Sequence, residues 1–263
     1  MHDRVLPLEG VHNFRDFGGY SVAGGGRLRR GILWRSGQHH GATDRDLAQI
    51  DALGLAHVFD LRTGRERELH PCRRSPQFAA KVHFTADPDP VQRAGQQAPH
   101  LAASSGTLGR DAAGARESMR NNYRTIAFRP QLVDSMRQLL LALADDGQPT
   151  LVNCMAGKDR TGIAVAAVQL ALGVHPDDVV ADYVLTNTAS DPEARIASGA
   201  STISAMAGAM DPAVLRVVMG VEPEYLEAAF ASMRERHGST EAYLREVLGV
   251  DDSLRERLRE NLT

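Results

Sequence analysis

Lysine and cysteine are scarce in this chain, and their scarcity excludes several classes of protein. Lys81 and Lys158 are the only lysines among the 30 basic residues, so arginine is the default cation. Cys72 and Cys154 are the only cysteines, too few for a disulfide framework, and no CxxC or Cys/His spacing indicates a zinc site. The histidine pair at 39–40 is more typical of a solvated loop than of metal ligands. We therefore expect neither a bound metal nor a cofactor.

Positive charge and long apolar runs are also lacking. The formal net charge is −3, which argues against a nucleic-acid partner because no excess of cations exists to neutralise many phosphates. The longest apolar stretch covers only 163–174 and includes a glutamine, so no stable membrane insertion is expected. The first ten residues lack the basic and apolar regions of a secretory signal. The cytoplasm is therefore the default location, and secretion without a leader stays open.

Helix and strand patterns alternate along the first half of the chain. Short extended segments are expected around 11–20 and 31–36. Thr43 is a typical N-cap for a helix that ends at Gly54, and apolar strands follow at 56–62 and 81–86. This order predicts an α/β fold with a central sheet flanked by helices.

The second half of the chain is mostly helical, after one weakly apolar segment. Residues 87–116 hold few large apolar side chains, so they are interpreted as either a surface loop or a mobile lid. Helical patterns dominate from 115 to 146, and several amphipathic helices follow residue 174. We see no clear linker, so residues 1–263 are predicted to form one domain with a helical C-terminal layer.

The most informative stretch is "NCMAGKDRTG" at 153–162, which follows a short apolar strand and precedes a helix that is apolar almost all round. Successive backbone N–H groups of such a loop can form a cradle for an anion, and the helix N-terminus adds partial positive charge. Gly157 and Gly162 permit tight winding, and Arg160 offers two parallel donors to a phosphate. The spacing does not fit a nucleotide-binding P-loop, which requires a glycine where Val152 stands.

In this setting Cys154 is a candidate nucleophile. The helix terminus, Lys158 and Arg160 all favour the thiolate form, and the Thr161 hydroxyl is placed to donate to the sulfur. A lone cysteine at this position would more often be a buried structural residue. The combination of strand, cysteine, glycines, arginine at the sixth position and apolar helix favours catalysis over that alternative.

These residues resemble a known family. "CMAGKDRTG" is similar to the C-x5-R-[ST]-G loop of cysteine-dependent phosphatases, and its G-K-D-R form resembles the bacterial atypical tyrosine phosphatases. Three further stretches match that family's N-terminal pattern: "NFRDFGGY" at 13–20, "LWRSGQ" at 33–38 and "VFDLRTGRERE" at 58–68. The resemblance covers most of the chain and is weakest in 87–116.

The resemblance implies a cysteine-phosphatase-like sheet and hydrolysis of phosphate monoesters through a phosphocysteine intermediate. Phosphotyrosine proteins are the expected substrates, with phosphoserine, phosphothreonine and phosphoinositides as further candidates. The implied catalytic residues are Cys154 and Arg160, with the in-loop Asp159 as the general acid or an orienting group. Asp60 ends a predicted strand, where α/β sheets present functional residues, and is the second candidate for the acid behind Asp159. The implied phosphate-binding residues are Met155, Ala156, Gly157, Lys158, Asp159, Arg160 and Thr161.

Several alternatives stay open. The family usually has histidine before the cysteine, whereas this chain has Asn153, so a phosphate-binding pseudophosphatase is the second interpretation. A rhodanese-like sulfurtransferase is a weaker third. Asp60 is equally typical of an ion pair with a nearby arginine, and Lys158 either meets a second substrate phosphate or forms an ion pair that shapes the loop. Cys72 is more often a plain thiol than a redox partner for the nucleophile.

Two residues of "NFRDFGGY" have open roles as well. Arg15 and Asp16 either brace the 153–162 loop from beside it or form a salt-bridged turn.

Overall fold

The structure is a computed structural model that describes residues 3–87, 111–189 and 211–263. Within those ranges, five strands form one sheet in the order β1-β2-β5-β3-β4. The strands are β1 (Arg15–Asp16), β2 (Leu33–Ser36), β3 (His57–Asp60), β4 (Lys81–Phe84) and β5 (Thr150–Asn153). β1 pairs with β2 in the antiparallel sense, and the other pairs are parallel. The mixed α/β fold with a central sheet is confirmed.

Ten α-helices lie in the described ranges, and those of the second half form the helical layer that the sequence predicts. They are α1 (Asp44–Asp51), α2 (Gly64–Leu69), α3 (Ala112–Ile126), α4 (Pro130–Asp146), α5 (Asp159–Ala171), α6 (Pro176–Val184), α7 (Pro212–Met219), α8 (Pro223–His237), α9 (Thr240–Glu246) and α10 (Asp252–Leu262). A 3₁₀ turn, Leu185–Asn187, follows α6. The expectations for α2 and α7 were incomplete, because neither helix was predicted.

Local side-chain chemistry explains where the early helices begin. Thr43 caps α1 in a capping box with Asp46, as its N-cap role predicts. Thr63 and Glu66 form the same arrangement at α2. The Thr-x-x-Glu spacing of that second box is visible in the sequence. The helix that it begins is only six residues long, too short to give a clear apolar periodicity.

The central strands β3 and β5 are covered on both faces, because their neighbouring residues point to opposite sides and meet two different apolar clusters. Val58 and Leu151 belong to a smaller apolar cluster that includes α1. Phe59 and Val152 face the main core, which the helices of the second half fill. α5 lies in this core and is apolar almost all round after its first turn, as expected of a central helix.

The segment interpreted as a loop or lid at 87–116 lies mostly outside the described residues, which omit 88–110. Its C-terminal part is corrected by the structure, because Asp111 caps α3 and residues 112–116 are already helical. Among the described residues, none of the helices combines the length and apolar character needed to cross a membrane.

Candidate active site

The loop at 154–158 lies where three parallel strands end and a buried helix begins. Asn153, the last residue of β5, pairs with Asp60 at the end of β3 and with Ser36 at the end of β2. Cys154 follows directly and is 3% exposed. The loop therefore lies at the carboxyl edge of the sheet, where α/β proteins place their ligands.

Two carbonyl groups of the loop point outward, toward the β2 side. The Met155 oxygen accepts a hydrogen bond from the Gln38 backbone N–H at 3.0 Å. The Gly157 oxygen accepts from Asn13 Nδ2 at 2.7 Å and from Arg35 Nη2 at 3.0 Å. Because C=O and N–H of a trans peptide point in opposite directions, the N–H groups that follow these carbonyls turn to the inside of the loop. This is the arrangement that an anion cradle needs.

Gly157 is required at this point for two reasons. Its φ is +66°, in the region where a side chain is strained. A Cβ atom there would lie 2.4 Å from the carbonyl carbon and oxygen of Ser36. The loop and the end of β2 are in backbone contact, so their relative position is determined without a side chain.

Asn13 and Arg15 support the loop from the N-terminal segment. Asn13 has a φ of +62°, which asparagine tolerates better than most residues and which aims its amide at the Gly157 oxygen. Arg15 Nη1 donates to Asn13 Oδ1 and so fixes which end of the amide faces the loop. Asp16 instead accepts from the backbone N–H groups of Gly18 and Gly31, both at 2.7 Å. Arg15 thus braces the loop through Asn13, whereas Asp16 shapes a turn.

Beneath the loop, two buried guanidinium groups share one carboxylate. Asp182 Oδ2 lies 2.9 Å from Arg35 Nη1 and 3.6 Å from Arg15 Nη2, and none of these side chains is exposed. Burial and then the charge of Arg35 lower the pKa of Arg15 to about 9. Two cations against one carboxylate favour an anion in the loop, since opposite charge nearby stabilises it.

Arg160, the second residue of α5, is held in one orientation. Its Nη1 and Nη2 donate to Glu66 Oε2 and Oε1, both at 2.7 Å, and Nη1 also donates to the Leu61 oxygen at 2.9 Å. Burial alone would lower the pKa of Arg160, but the Glu66 carboxylate raises it above its ordinary value. A guanidinium has five N–H donors, and these contacts use three.

The two remaining donors of Arg160 lie on one edge. They are Nε–H and the second hydrogen of Nη2, which point the same way in a planar guanidinium. Within the described part of the chain, neither has an acceptor. Glu66 therefore leaves free the edge that binds two phosphate oxygens in parallel.

Comparison with known proteins agrees with this geometry. A sequence model described as "Tyrosine phosphatase family" matches residues 6–263. The chain belongs to this family. It is 33% identical over 258 residues to a protein of Cupriavidus necator named as a tyrosine-protein phosphatase, across 95% of this chain and 85% of that one. It is 32% identical over 277 residues to the triple specificity protein phosphatase PtpB of Mycobacterium tuberculosis, across 97% and 98%. The chain is a protein-tyrosine phosphatase.

Asp60, the second candidate for the general acid, is already engaged in this phosphatase. Its Oδ1 accepts from Arg62 Nε at 2.8 Å and its Oδ2 from Arg62 Nη2 at 2.6 Å, with both side chains at most 2% exposed. Asn153 Nδ2 adds a contact to Oδ1 at 3.3 Å. A carboxylate in a two-bond ion pair is poorly suited to carry a proton, so the ion-pair alternative is the better interpretation of Asp60.

Asp159 and Lys158 are adjacent in the chain and differ in their surroundings. Asp159 Oδ1 accepts from Tyr123 Oη at 2.8 Å, and its side chain is 16% exposed. The Lys158 side chain is 5% exposed, and its ammonium donates to the carbonyl oxygens of Val218 and Gly220 at the end of α7. It also lies 3.5 Å from Asp159 Oδ1. The ammonium thus points into the protein, which favours a loop-shaping role over contact with a second phosphate.

Three other predicted residues have clear positions. Thr161 Oγ1 is buried and, among the described residues, has no hydrogen-bond partner, so it does not contact the thiol in this structure. Asn153 Oδ1 is likewise buried without a partner there. Cys72 Sγ accepts from Arg62 Nη2 at 3.0 Å and from the His39 N–H at 3.2 Å. Both cysteines are free thiols, and these donors give Cys72 a structural role beside Arg62.

Sequence reasoning did not identify several residues that hold the site. Asn13, Arg35 and Glu66 all lie in the three stretches that carry the family resemblance, but their partners are far along the chain. Tyr123 lies in a segment interpreted only as helical, and Asp182 lies in one interpreted only as an amphipathic helix. The isolated polar positions on those helices were a signal of buried partners, but they do not reveal which partner is met.

Proposed function

We propose that this phosphatase works through a covalent phosphocysteine. The Cys154 sulfur attacks phosphorus, the ester P–O bond breaks, and Asp159 gives a proton to the departing oxygen. Water then attacks the phosphorus with Asp159 accepting its proton, which releases inorganic phosphate and restores the thiolate. Every proton and electron pair in this sequence is supplied by the substrate, water and these two residues.

One observation carries the proposal: the loop and Arg160 are organised for an anion by contacts that lie outside the anion site. Gln38 and Asn13 hold loop carbonyls outward, and Glu66 leaves one edge of Arg160 free. The N-terminus of α5 adds its partial charge at the same place. Such preorganised donors stabilise the charge that develops on the transferring phosphoryl group. We propose Met155, Ala156, Gly157, Lys158, Asp159, Arg160 and Thr161 as the residues around that group.

Aryl phosphate esters, and phosphotyrosine in proteins first, are the proposed substrates. The Mycobacterium tuberculosis relative is named a triple specificity protein phosphatase, which makes further phosphate esters a second class of candidate substrate. Phosphoserine, phosphothreonine and phosphoinositides are proposed on that basis. Since the Lys158 ammonium is bonded inside the protein, a lipid activity would not depend on that residue more than a peptide activity does.

Hydrolysis of p-nitrophenyl phosphate tests the mechanism directly. We expect wild-type activity to persist in EDTA, Cys154→Ser to abolish it, and Cys72→Ser to retain it as the matched thiol control. Rapid acid quenching should trap labelled phosphate on Cys154 and not on Cys72. Turnover that survives Cys154→Ser would contradict the mechanism, and phosphate binding without any turnover would instead indicate a pseudophosphatase.

A further inference from the structure

Two buried tyrosines form a hydrogen-bonded chain that ends on the candidate acid. Tyr183 Oη on α6 lies 2.7 Å from Tyr123 Oη on α3. Tyr123 Oη in turn lies 2.8 Å from Asp159 Oδ1. The two rings pack edge to face with centroids 6.0 Å apart, and both side chains are buried in the main core. Three helices thus meet at one carboxylate.

The direction of these hydrogen bonds follows from the chemistry of the groups. Burial raises the pKa of both Tyr123 and Tyr183 well above the ordinary value, so both phenols keep their protons. The carboxylate oxygen accepts, so the Tyr123 proton is directed to Asp159. The Tyr123 oxygen is left as an acceptor, and Tyr183 donates to it.

The two carboxylate oxygens of Asp159 have different surroundings. Oδ1 accepts from Tyr123 and lies 3.5 Å from the Lys158 ammonium. Within 3–87, 111–189 and 211–263, no group donates to Oδ2. We propose that Tyr123, supported by Tyr183, is a positioning residue that anchors Oδ1 and turns Oδ2 toward the ester oxygen. This inference rests on the proposed role of Asp159 as the acid.

Such an anchor acts on the proton transfer itself. When the ester P–O bond breaks and the Cys154 S–P bond forms, the Oδ2 proton passes to the leaving oxygen and Asp159 becomes a carboxylate. The hydrogen bond from Tyr123 is then made to a charged acceptor and is stronger than before. An interaction that is stronger in the transition state than in the ground state lowers the barrier of the step. An interaction of equal strength in both states would not.

The protein also offers a matched control. Tyr225 packs beside Tyr123 with ring centroids 5.7 Å apart, and it is equally buried. Its hydroxyl has no hydrogen-bond partner among the described residues. Removing this hydroxyl changes the same aromatic cluster without touching the chain to Asp159.

The experiment compares leaving groups. In the first chemical step, phenyl phosphate needs a proton on its leaving oxygen, whereas 2,4-dinitrophenyl phosphate leaves readily without one. For Tyr123→Phe we expect kcat/KM on phenyl phosphate to fall about tenfold and on the dinitrophenyl ester less than about twofold. Tyr183→Phe should show the same pattern at about threefold, and Tyr225→Phe should leave both esters unchanged. Loss of general folding would lower both esters alike.

Asp159→Asn, measured with the same two esters, distinguishes failure of the proposed acid from failure of the proposed tyrosine anchor. Suppose that Asp159→Asn loses activity only on phenyl phosphate, whereas Tyr123→Phe and Tyr183→Phe lose activity equally on both esters. That result would overturn the tyrosine inference and leave the proposed acid standing. Equal losses on both esters in Asp159→Asn would overturn the acid and the anchor together. Selective losses in Asp159→Asn, Tyr123→Phe and Tyr183→Phe support both.

Discussion

Glu66 and Arg160 form a two-bond ion pair in which Nη1 and Nη2 lie 2.7 Å from the two carboxylate oxygens. The same Glu66 closes the capping box of α2 by accepting from the Thr63 N–H at 2.8 Å. One side chain therefore links the start of a short helix to the arginine that follows the 154–158 loop. The position of α2 sets the orientation of Arg160.

Replacing Glu66 should therefore impair catalysis without removing any group that touches substrate. In Glu66→Gln the amide nitrogen faces a guanidinium nitrogen, so Arg160 loses its fixed orientation. We expect kcat/KM for p-nitrophenyl phosphate to fall about tenfold, because misplaced donors lose much of their effect. Glu68→Gln, on the exposed face of the same helix, is the control and should stay within about twofold. Equal effects of the two changes would argue against the orienting role.

Gly157→Ala should distort the loop, and Gly54→Ala is the control that separates backbone strain from the clash with Ser36. Both glycines have similar backbone angles, with φ of +66° and +62°. A Cβ at 157 would meet the backbone of Ser36, whereas one at 54 would meet nothing within 4 Å. We expect Gly54→Ala to cost about 1 kcal/mol of strain with full activity. Gly157→Ala should cost more in urea unfolding and should lose nearly all activity. Similar stability and activity in the two variants would show that the contact with Ser36 is unimportant.

Lys158→Met should lower kcat/KM by a similar factor for all substrates. The ammonium is bonded to the carbonyl oxygens of Val218 and Gly220, so its loss disturbs the loop and α7 whatever ester is bound. We expect kcat/KM for a phosphotyrosine peptide, a monophosphorylated inositol lipid and a multiply phosphorylated one to fall by factors within about threefold of each other. Lys81→Met, at the exposed start of β4, is the matched control. A selective loss on the multiply phosphorylated lipid would instead place the ammonium on the substrate.

His39 should make the stability of the protein depend on pH below neutrality. Burial, with the charges of Arg74 and Arg62, lowers its pKa from 6.5 to about 3. The unfolded chain therefore takes up a proton below about pH 6.5 that the folded protein refuses, so this contribution is complete above that pH and is lost as pH falls toward 3. Between pH 6.5 and 4.5 the loss should be roughly 2–3 kcal/mol.

Urea unfolding at several pH values measures this contribution. Between pH 6.5 and 4.5 the unfolding free energy of His39→Gln should fall by roughly 2–3 kcal/mol less than that of the wild type. This difference does not depend on the absolute stability of the variant. His40→Gln, at the exposed neighbouring position, should keep the wild-type slope. An unchanged slope in His39→Gln would mean that the imidazole is not kept neutral by burial.

Local signals predicted much of the fold and located the candidate site. Thr43 and the apolar spacing after it located α1, because a cap and a helix period act within a few residues. The loop from Cys154 to Arg160 was recognisable because its chemistry is contained in seven consecutive positions. The helices α2 and α7 were missed, since short helices are determined as much by their contacts as by their own residues.

The contacts that hold the site could not be predicted in the same way. Asn13 meets Gly157 across 144 positions of the chain, and Glu66 meets Arg160 across 94. Nothing in the local pattern distinguishes such a partner from an ordinary polar residue. For Asp60 the sequence left a proton-donor role and an ion pair with a nearby arginine equally open, and only the structure shows the ion pair with Arg62.

The sequence by itself determined the family, the α/β order and the candidate nucleophile, because each depends on residue types at short spacings. Only the tertiary structure decided which side chains support the 153–162 loop, which aspartate is held in an ion pair, and where the Lys158 ammonium points. The physical reason is that a buried polar group must find a partner wherever the chain brings one within about 3 Å, and packing, not spacing, makes that choice.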